Sequence, residues 1–234
     1  MSFSSEKRPV AFFDIDGTVF RSSLLVELVN SLSAKGVFPE DVKDHYLPAY
    51  YAWQKREGSY ENYIESLVDA FLKNIKGVSY STFVELGEVV VNEQSKRVYT
   101  YTRDLILKLK KQGYFLVAIS QSPKLILDPF CREYGFDVVY GRMYDVGPTD
   151  RFTGTVDEVY LIENKAKIAN RVFDKYPVLR ERSLAVGDTE ADIPLLEVVT
   201  KAICFNPNKH LYNEALRRSW DVVVERKDVI YRIS

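Results

Sequence analysis

The stretch that decides the fold is V-A-F-F-D-I-D-G-T-V, residues 10–19. It begins with a short apolar run, which is typical of a strand buried on both faces of a sheet. The run ends in Asp14 and Asp16, which flank one isoleucine and precede Gly17. Like charges this close together repel each other and lose hydration unless a cation or a ligand compensates them. The stretch therefore predicts a site for a divalent metal and a phosphate at the end of a buried strand.

The overall composition is ordinary for a soluble globular protein. The chain has 234 residues, of which 46% are hydrophobic and 28% charged, and its formal net charge is −1. This length suits a core domain with a moderate insertion, and the balanced charge gives no general attraction to nucleic acid or membranes. Cys131 and Cys204 lie far apart and only 2 histidines are present, so we predict reduced structural thiols and no zinc site. Residues 1–9 lack the apolar core of a signal peptide, and we expect a cytoplasmic enzyme.

The segment after the opening strand has helical periodicity and no predicted strand of its own. Serine starts and glycine stops predict helices over residues 22–34 and 60–76, and another begins near residues 79–81. Pro39 can begin a further helix towards residue 55, which Pro48 should kink or divide. Aromatic residues are dense here; most should pack in a bundle, and a minority could line a ligand cavity. Residues 21–100 are therefore predicted to form an all-helical insertion.

After this segment, helices alternate with short apolar strands. Strands are predicted over residues 114–119, 137–140, 183–186, 202–205 and 222–224, and helices over residues 123–134, 165–175 and 210–218. A hairpin is predicted over residues 142–156, with its turn at Gly147 and Pro148. The alternation predicts an α/β fold with a Rossmann-like parallel sheet and helices on both faces. The core domain would comprise residues 1–20 and 101–234, and the helical domain residues 21–100.

Polar side chains follow three of the predicted strands. Asp14, Ser120 and Asp188 each follow one. The carboxyl ends of parallel strands share one edge of a sheet, where ligands bind. An ionised Asp14 could attack phosphorus, while Asp16 protonates the departing alkoxide and later deprotonates water. A magnesium ion would let a carboxylate approach a phosphate dianion, held by Asp14, Asp188 and a main-chain carbonyl near Asp16. These residues predict phosphoryl transfer.

Four further residues could bind the phosphate itself. Lys165, at the head of its predicted helix, could reach the phosphate as a point charge, and Ser120 could donate a hydrogen bond to the same oxygens. Gly17 allows a tight turn where a side chain would block the phosphate, with Thr18 beside it. Each has a simpler interpretation, since Ser120 could be an ordinary polar strand end and Lys167 competes with Lys165 for the same role.

The acidic residues also have structural interpretations. Asp188 and Asp192 could each cap the following helix, as an aspartate after a glycine often does. The pair of aspartates in the opening stretch could belong to a calcium loop, but Val19 occupies the position of the loop glycine and Leu25 that of the bidentate glutamate. We therefore discard the calcium loop. Taken together, the residues favour the phosphoryl-transfer hypothesis over its separate alternatives.

In order and spacing, these segments resemble the four motifs of the haloacid dehalogenase superfamily of phosphatases. D-I-D-G-T is similar to the first motif, A-I-S-Q-S to the second, Lys165 to the third, and G-D-T-E-A-D-I-P to the fourth. The helical insertion after the first motif resembles the cap of the phosphoserine-phosphatase-like branch, subfamily IB. The segments R-F-T-G-T and N-P-N-K-H-L resemble the same branch, so the resemblance covers essentially the whole chain.

The resemblance implies a magnesium-dependent phosphomonoesterase and a role for each matched residue. Asp14 would be the nucleophile and Asp16 the acid and base. The resemblance also implies phosphate binding by Ser120 and Lys165, metal binding by Asp188, and a supporting role for Asp192. Gln121, which follows Ser120 in the second motif, is placed among the supporting residues.

Departures from that branch limit the choice of substrate. Phosphoserine phosphatases carry a glutamate nine residues after the nucleophile to meet the substrate amine, and this position is Ser23 here. They use an arginine of a cap helix for the substrate carboxylate, but residues 60–76 contain no arginine, and Ala191 replaces an asparagine of the fourth motif. Unpaired buried charges are costly, so such a site should not choose phosphoserine. We expect a different small phosphomonoester, with cap aromatics shaping its pocket.

Three other functions remain alternatives from the sequence. A phosphotransferase or mutase would share the nucleophile and pass its phosphoryl group to another acceptor. A signalling receiver domain is disfavoured because such domains are shorter and lack an acid at the position of Asp16. A silent phosphate-binding protein is disfavoured by the intact set of Asp14, Asp16, Lys165 and Asp188. The sequence leaves the oligomeric state open.

Overall fold

An eight-stranded sheet forms the centre of the protein in a computed structural model that describes residues 6–157 and 164–233. In chain order, the strands are β1 (Arg8–Asp14), β2 (Phe115–Pro123), β3 (Val138–Val146), β4 (Phe152–Asp157), β5 (Val178–Gly187), β6 (Lys201–Phe205), β7 (Asp221–Arg226) and β8 (Val229–Ile233). Across the sheet they lie in the order β4-β3-β2-β1-β5-β6-β7-β8. Neighbours from β3 to β7 are parallel, while β4 and β8 pair antiparallel at the two edges.

The α-helices lie before, between and after these strands. They are α1 (Leu24–Ala34), α2 (Leu47–Gln54), α3 (Tyr60–Ile75), α4 (Tyr80–Gln94), α5 (Thr100–Lys111), α6 (Lys124–Tyr134), α7 (Lys165–Lys175), α8 (Ile193–Glu197) and α9 (Lys209–Arg218). Short 3-10 helices cover Glu40–His45 and Glu190–Asp192. Within residues 6–157 and 164–233, no helix combines the length and the apolar character needed to span a membrane.

Helices cover both faces of the sheet because side chains along β1 alternate between two hydrophobic cores. Ala11 and Phe13 belong to the core shared with α1, α3, α4, α5 and α6. Val10 and Phe12 belong to the core shared with α7, α8 and α9. Successive residues of a strand point to opposite faces, so an unbroken apolar run is what a strand covered on both sides requires. The predicted α/β architecture is confirmed.

The helical insertion, α1 to α4 with the first 3-10 helix, packs directly on one face of the sheet. Phe71 of α3 and Phe83 of α4 are fully buried in the same core as Phe13. The predicted hairpin is β3–β4, and its backbone bonds to the turn between α3 and α4. Gly77 N donates to Phe152 O at 2.8 Å, and Phe152 N donates to Val78 O at 3.0 Å. The hairpin therefore fixes the insertion against the core.

The two chain segments that connect the insertion to the core run side by side. Arg21 N donates to Arg97 O at 2.8 Å, and Tyr99 N donates to Val19 O at 3.0 Å. The predicted domain boundaries, near residues 20 and 100, fall at this junction. The division into two domains itself stays a prediction.

A buried carboxylate of β7 ties both connections to the sheet. Glu225 accepts hydrogen bonds from Thr100 N at 3.1 Å and Tyr101 N at 2.8 Å, which are N–H groups at the start of α5. It also accepts one from Arg21 Nη2 at 2.5 Å. The first N–H groups of a helix have no partner within the helix, so this carboxylate supplies one. Glu225 thus holds the entry and the exit of the insertion together.

The structure corrects several predicted elements. β2 continues beyond Ile119 to Pro123, which still pairs with β3. The helix predicted from Pro39 is divided near Pro48, as expected, but its first part is a 3-10 helix. Pro48 lies in the first turn of α2, where proline is tolerated. β8 was not predicted, because all 5 of its residues are exposed and no buried face produces an alternating pattern.

Candidate active site

Two chain segments, the end of β1 and the loop after β5, bring three carboxylates to one edge of the sheet. Asp14 ends β1, and Asp188 directly follows β5, its parallel neighbour. Asp192 lies at the end of the short 3-10 helix that comes next. One oxygen of each of the three carboxylates lies within 4.8 Å of the others. The convergence of strand ends predicted from the sequence therefore produces a compact acidic cluster.

The two carboxylate oxygens of Asp14 have different surroundings. Its Oδ1 accepts a hydrogen bond from Lys165 Nζ at 2.6 Å. Its Oδ2 is buried and has no hydrogen-bond partner among the described residues. Burial raises the pKa of Asp14 to about 7; Lys165 opposes this shift, and the charges of Asp192 and Asp16 add to it. A buried, unpartnered carboxylate oxygen is costly, so this atom calls for a cation or a reacting group.

Lys165, rather than the competing Lys167, lies in this cluster. It is the first residue of α7, where the Asn164 side chain accepts a hydrogen bond from Ala166 N at 3.1 Å. Its ammonium group is buried and donates to Asp14 and to Asp192 Oδ1, the latter at 2.5 Å. Burial alone would lower the pKa of Lys165, but the two carboxylates raise it above its usual value. Lys165 is therefore held charged beside Asp14.

Asp192 organises the loop that presents Asp188. Its Oδ2 accepts hydrogen bonds from Asp188 N at 3.0 Å and Thr189 N at 3.1 Å, while its Oδ1 faces Lys165. A Cβ on Gly187 would come within 2.4 Å of this carboxyl group. Both oxygens of Asp192 thus accept hydrogen bonds from the protein, and the supporting role of this residue stays a prediction.

Asp188 fits closely against the turn after β1. Thr18 Oγ1 donates to Asp188 Oδ1 at 3.1 Å, so the hydroxyl predicted to bind phosphate has a partner in the site. Gly17 has φ +83°, and a Cβ there would lie 2.2 Å from Asp188 Oδ2. Only glycine fits at position 17, because any Cβ there would collide with the Asp188 carboxylate. Burial raises the pKa of Asp188 well above its usual range, and the charges of Asp14 and Asp192 raise it further.

Asp16 faces α1 and β2. Its Oδ1 accepts a hydrogen bond from Leu24 N at 2.6 Å, which caps the start of α1, and its Oδ2 accepts one from Ser120 Oγ. Burial raises the pKa of Asp16, and these two hydrogen bonds oppose that shift. The carboxylate of Asp16 is thus occupied. Its predicted share in metal binding would have to come from its main-chain carbonyl.

Ser122 is a residue that sequence reasoning missed. Its Oγ accepts a hydrogen bond from Leu25 N at 3.2 Å, next to the bond that Leu24 N makes to Asp16. Ser122 N in turn donates to Ser120 Oγ at 2.9 Å. The end of β2 and the start of α1 are therefore joined by side chains. The serine at each end of S-Q-S was a visible signal, but the sequence did not show that α1 begins beside it.

Two other predicted residues lie at the margin of the site. Gln121 Oε1 accepts a hydrogen bond from Arg142 Nη2 at 2.9 Å, so its amide oxygen is turned to β3. Ser23 is buried immediately before α1. Its position one residue before Leu24, whose N–H meets Asp16, keeps Ser23 close to the site along the chain.

The donor set fits a magnesium ion. Carboxylate and carbonyl oxygens are the ligands that Mg²⁺ prefers, usually with one or two carboxylates. Asp14 and Asp188 supply carboxylates, and one oxygen of each lies within 4.8 Å of the other. A third carboxylate, Asp192, completes the cluster, but its oxygens already accept hydrogen bonds from Lys165 and two main-chain N–H groups. Asp14 and Asp188 are the side chains that would hold the ion.

Known proteins resemble this chain over nearly its whole length. A family model described as haloacid dehalogenase-like hydrolase matches residues 11–197. Phosphoserine phosphatase SerB1 of Mycobacterium tuberculosis is 25% identical, over 91% of this chain and 69% of its own. A histidinol-phosphatase of Neisseria meningitidis is 24% identical, over 92% of this chain and 97% of its own. The solved structure of a phospho-aspartyl intermediate analogue of phosphoserine phosphatase aligns with a TM-score of 0.62 at 21% identity, covering 95% and 96% of the two chains.

The chain belongs to the haloacid dehalogenase-like hydrolase family, and within it to the phosphoserine-phosphatase-like branch. The matched region includes all four segments that carried the resemblance in the sequence. The protein is thus a phosphatase by class, as predicted.

Proposed function

We propose that this protein is a Mg²⁺-dependent phosphomonoesterase that forms an aspartyl-phosphate on Asp14 and acts on a small phosphomonoester other than phosphoserine. The observation that carries the proposal is the asymmetry of Asp14. Lys165 holds one oxygen at 2.6 Å, and the other is buried without a partner among the described residues. A carboxylate that attacks phosphorus needs an oxygen that no protein group occupies.

The first chemical step would transfer the phosphoryl group to the enzyme. Asp14 Oδ2 attacks phosphorus, the bond from phosphorus to the substrate oxygen breaks, and Asp16 gives its proton to the departing alkoxide. Lys165 neutralises charge on the phosphate oxygens, and Ser120 can donate to them once its hydroxyl leaves Asp16. Bound Mg²⁺ would neutralise the negative charge shared by the carboxylates and the phosphate.

The second step would release phosphate. Asp16, now ionised, takes a proton from water, and the water oxygen attacks phosphorus and frees Asp14. Burial raises the pKa of Asp16, which favours the protonated form that the first step requires. The hydrogen bond from Leu24 N fixes its orientation between the two steps.

The substrate alcohol should differ from serine. Position 23 carries a short serine in place of the glutamate that meets the amine of phosphoserine, and α3 contains no arginine to meet the carboxylate. The named relatives do not fix the substrate, since one is called a phosphoserine phosphatase and another a histidinol-phosphatase. Both names refer to small phosphomonoesters, which is the class we propose here. The cytoplasmic location stays a prediction from the sequence.

A phosphotransferase or mutase would use the same aspartyl-phosphate and is the alternative reaction. It would transfer the phosphoryl group to a second alcohol in place of water. Product analysis with an added alcohol or sugar acceptor distinguishes the two, because a transferase would form a new phosphomonoester. A non-catalytic phosphate-binding protein would bind phosphate and release none from any ester.

The proposed reaction is tested by phosphate release from an aryl phosphate, with Mg²⁺ and with EDTA, for the wild type and Asp14→Asn. Asp69→Asn serves as a matched control, because Asp69 is exposed on α3. We expect activity only with Mg²⁺, its loss in Asp14→Asn and its retention in Asp69→Asn. Activity that survives Asp14→Asn would overturn the mechanism.

A further inference from the structure

A cavity of about 480 Å³ opens among the helices of the insertion. It is lined by α1, the first 3-10 helix, α2 and α3, and by the two residues that follow Phe20 in the connection from the core. Its aromatic wall consists of Tyr46, Tyr50, Trp53, Tyr60 and Tyr63. Ligand sites usually enclose about 300–1,000 Å³, so a serine-sized alcohol would leave most of this volume unused.

The cavity adjoins the acidic cluster. Ser22, on its wall, accepts a hydrogen bond through its carbonyl from Gly17 N at 3.1 Å. Tyr60, at the start of α3, also lines the cavity. Burial raises the pKa of Tyr60, and the negative charges of Asp16, Asp188 and Asp14 raise it further, which places its phenol within electrostatic reach of the three carboxylates. A phosphomonoester bound at Asp14 would therefore extend its alcohol part towards this cavity.

The aromatic wall is ordered by contacts between its own rings. The planes of Trp53 and Tyr63 are 5° from parallel, with centroids 6.0 Å apart. Tyr50 meets Tyr63 at 5.2 Å, and Tyr60 meets Trp53 at 5.0 Å. Rings held in this way offer flat apolar surface with little loss of side-chain freedom on binding. Such a wall suits a flat ring better than a short polar chain.

The charges around the cavity exclude one common type of alcohol. Arg21 and Lys43 line it, and no acidic side chain does among the described residues that form its wall. Arg21 is paired with Glu225, whereas Lys43 is exposed at the rim. Along this wall a substrate ammonium group would therefore meet two cations and no carboxylate to pair with, since the acidic cluster lies beyond the lining residues. A neutral or acceptor-bearing ring would meet no such penalty.

We infer that this cavity is the leaving-group subsite, and that the preferred substrate is a phosphomonoester of a flat, ring-bearing alcohol without an ammonium group. The inference rests on the proposed function, since it assigns the alcohol part of that reaction. It makes Trp53 and Tyr50 specificity-determining residues that contact the ring.

The test compares kcat/KM for three phosphomonoesters whose leaving groups are all alkoxides. Propyl phosphate has no ring, 2-phenylethyl phosphate adds one, and histidinol phosphate has a ring and an ammonium group. Burial of a phenyl ring should favour 2-phenylethyl phosphate over propyl phosphate by at least about tenfold. We expect it to exceed histidinol phosphate as well. Equal values for the first two, or a preference for histidinol phosphate, would overturn the inference and leave the phosphatase proposal intact.

Variants test whether the aromatic wall of the cavity causes the preference for 2-phenylethyl phosphate. Trp53→Ala and Tyr50→Ala should reduce the advantage of 2-phenylethyl phosphate to about threefold or less, while kcat/KM for propyl phosphate changes little. Tyr51→Ala is the matched control, because Tyr51 is 55% exposed on the same helix and does not line the cavity. Equal losses for both substrates would show a structural role only and would overturn the assignment. No Asp14-dependent hydrolysis of any ester would instead overturn the proposed function.

Discussion

Replacing Gly17 with alanine should disable the catalytic site without unfolding the protein. The added Cβ would lie 2.2 Å from Asp188 Oδ2, where real Cβ contacts essentially never fall below 3.0 Å. Asp188 must therefore retreat by roughly 0.8 Å or the turn must open. The backbone at Gly17 also has φ +83°, a conformation that costs a residue with a Cβ about 1–2 kcal/mol.

The two effects of this substitution differ in size and in kind. The backbone cost should appear as about 1–2 kcal/mol of lost stability. The displacement moves a predicted metal ligand by close to 1 Å, and a misplacement of that size can cost about 100-fold in rate. We therefore expect kcat to fall by about 100-fold, and the Mg²⁺ concentration for half-maximal activity to rise.

Gly77→Ala is the matched control, because Gly77 has φ +84° and a Cβ there would meet nothing within 4 Å. It should cost similar stability and leave the chemistry unchanged. Steady-state phosphatase assays across a Mg²⁺ titration, with urea unfolding of both variants, measure the two effects separately. If Gly17→Ala retained kcat within about threefold of Gly77→Ala, a difference under about 1 kcal/mol, the assignment of Asp188 to the reaction would be refuted.

Further measurements concern stability and the cysteines. In EDTA, the free energy of unfolding should fall as pH rises from about 4 to about 7: burial raises the pKa of Asp14 to about 7, so the folded state keeps a proton that the unfolded state has released. Urea unfolding across this range would detect the slope, which Asp14→Asn should reduce. Glu225→Ala should lower the free energy of unfolding by about 2 kcal/mol, because two N–H groups at the start of α5 lose their acceptor and half-exposed Arg21 adds little. Glu225→Gln should cost less, and an unchanged urea midpoint for the alanine variant would contradict this role. A thiol reagent should react slowly with Cys131 and Cys204 in the native protein and rapidly after unfolding, since burial raises the pKa of Cys131 well above its usual range and that of Cys204 to about 12.

The sheet and the acidic edge were predictable because they follow from local patterns. An apolar run that ends in two aspartates specifies a buried strand and the position of its polar end. Parallel neighbours then bring Asp14 and Asp188 to one edge without further information. β8 was not predictable in this way, since it buries no face and only its pairing with β7 defines it.

The partners of each side chain were beyond the sequence. Spacing alone could not choose between Lys165 and Lys167, and the choice depended on the family resemblance; in the fold, the ammonium of Lys165 lies between Asp14 and Asp192. The Asp16 carboxylate is directed towards Ser120, which lies 104 positions further along the chain, and towards Leu24 at the start of α1, which lies 8 positions further. Such contacts exist only once the sheet and the insertion have packed together.

The position of the insertion, directly after the first motif, couples the proposed acid to the proposed subsite. Asp16 and Ser122 each accept one of the first N–H groups of α1, and the same helix forms one wall of the aromatic cavity. A shift of α1 would therefore change the direction of the proton donor and the shape of the cavity at once. Glu225 holds the entry and exit of the insertion together through its bonds to Arg21 and to the start of α5. An insertion at a later point in the chain could cover the site, but the first N–H of its first helix would not be bonded to Asp16, the proposed proton donor.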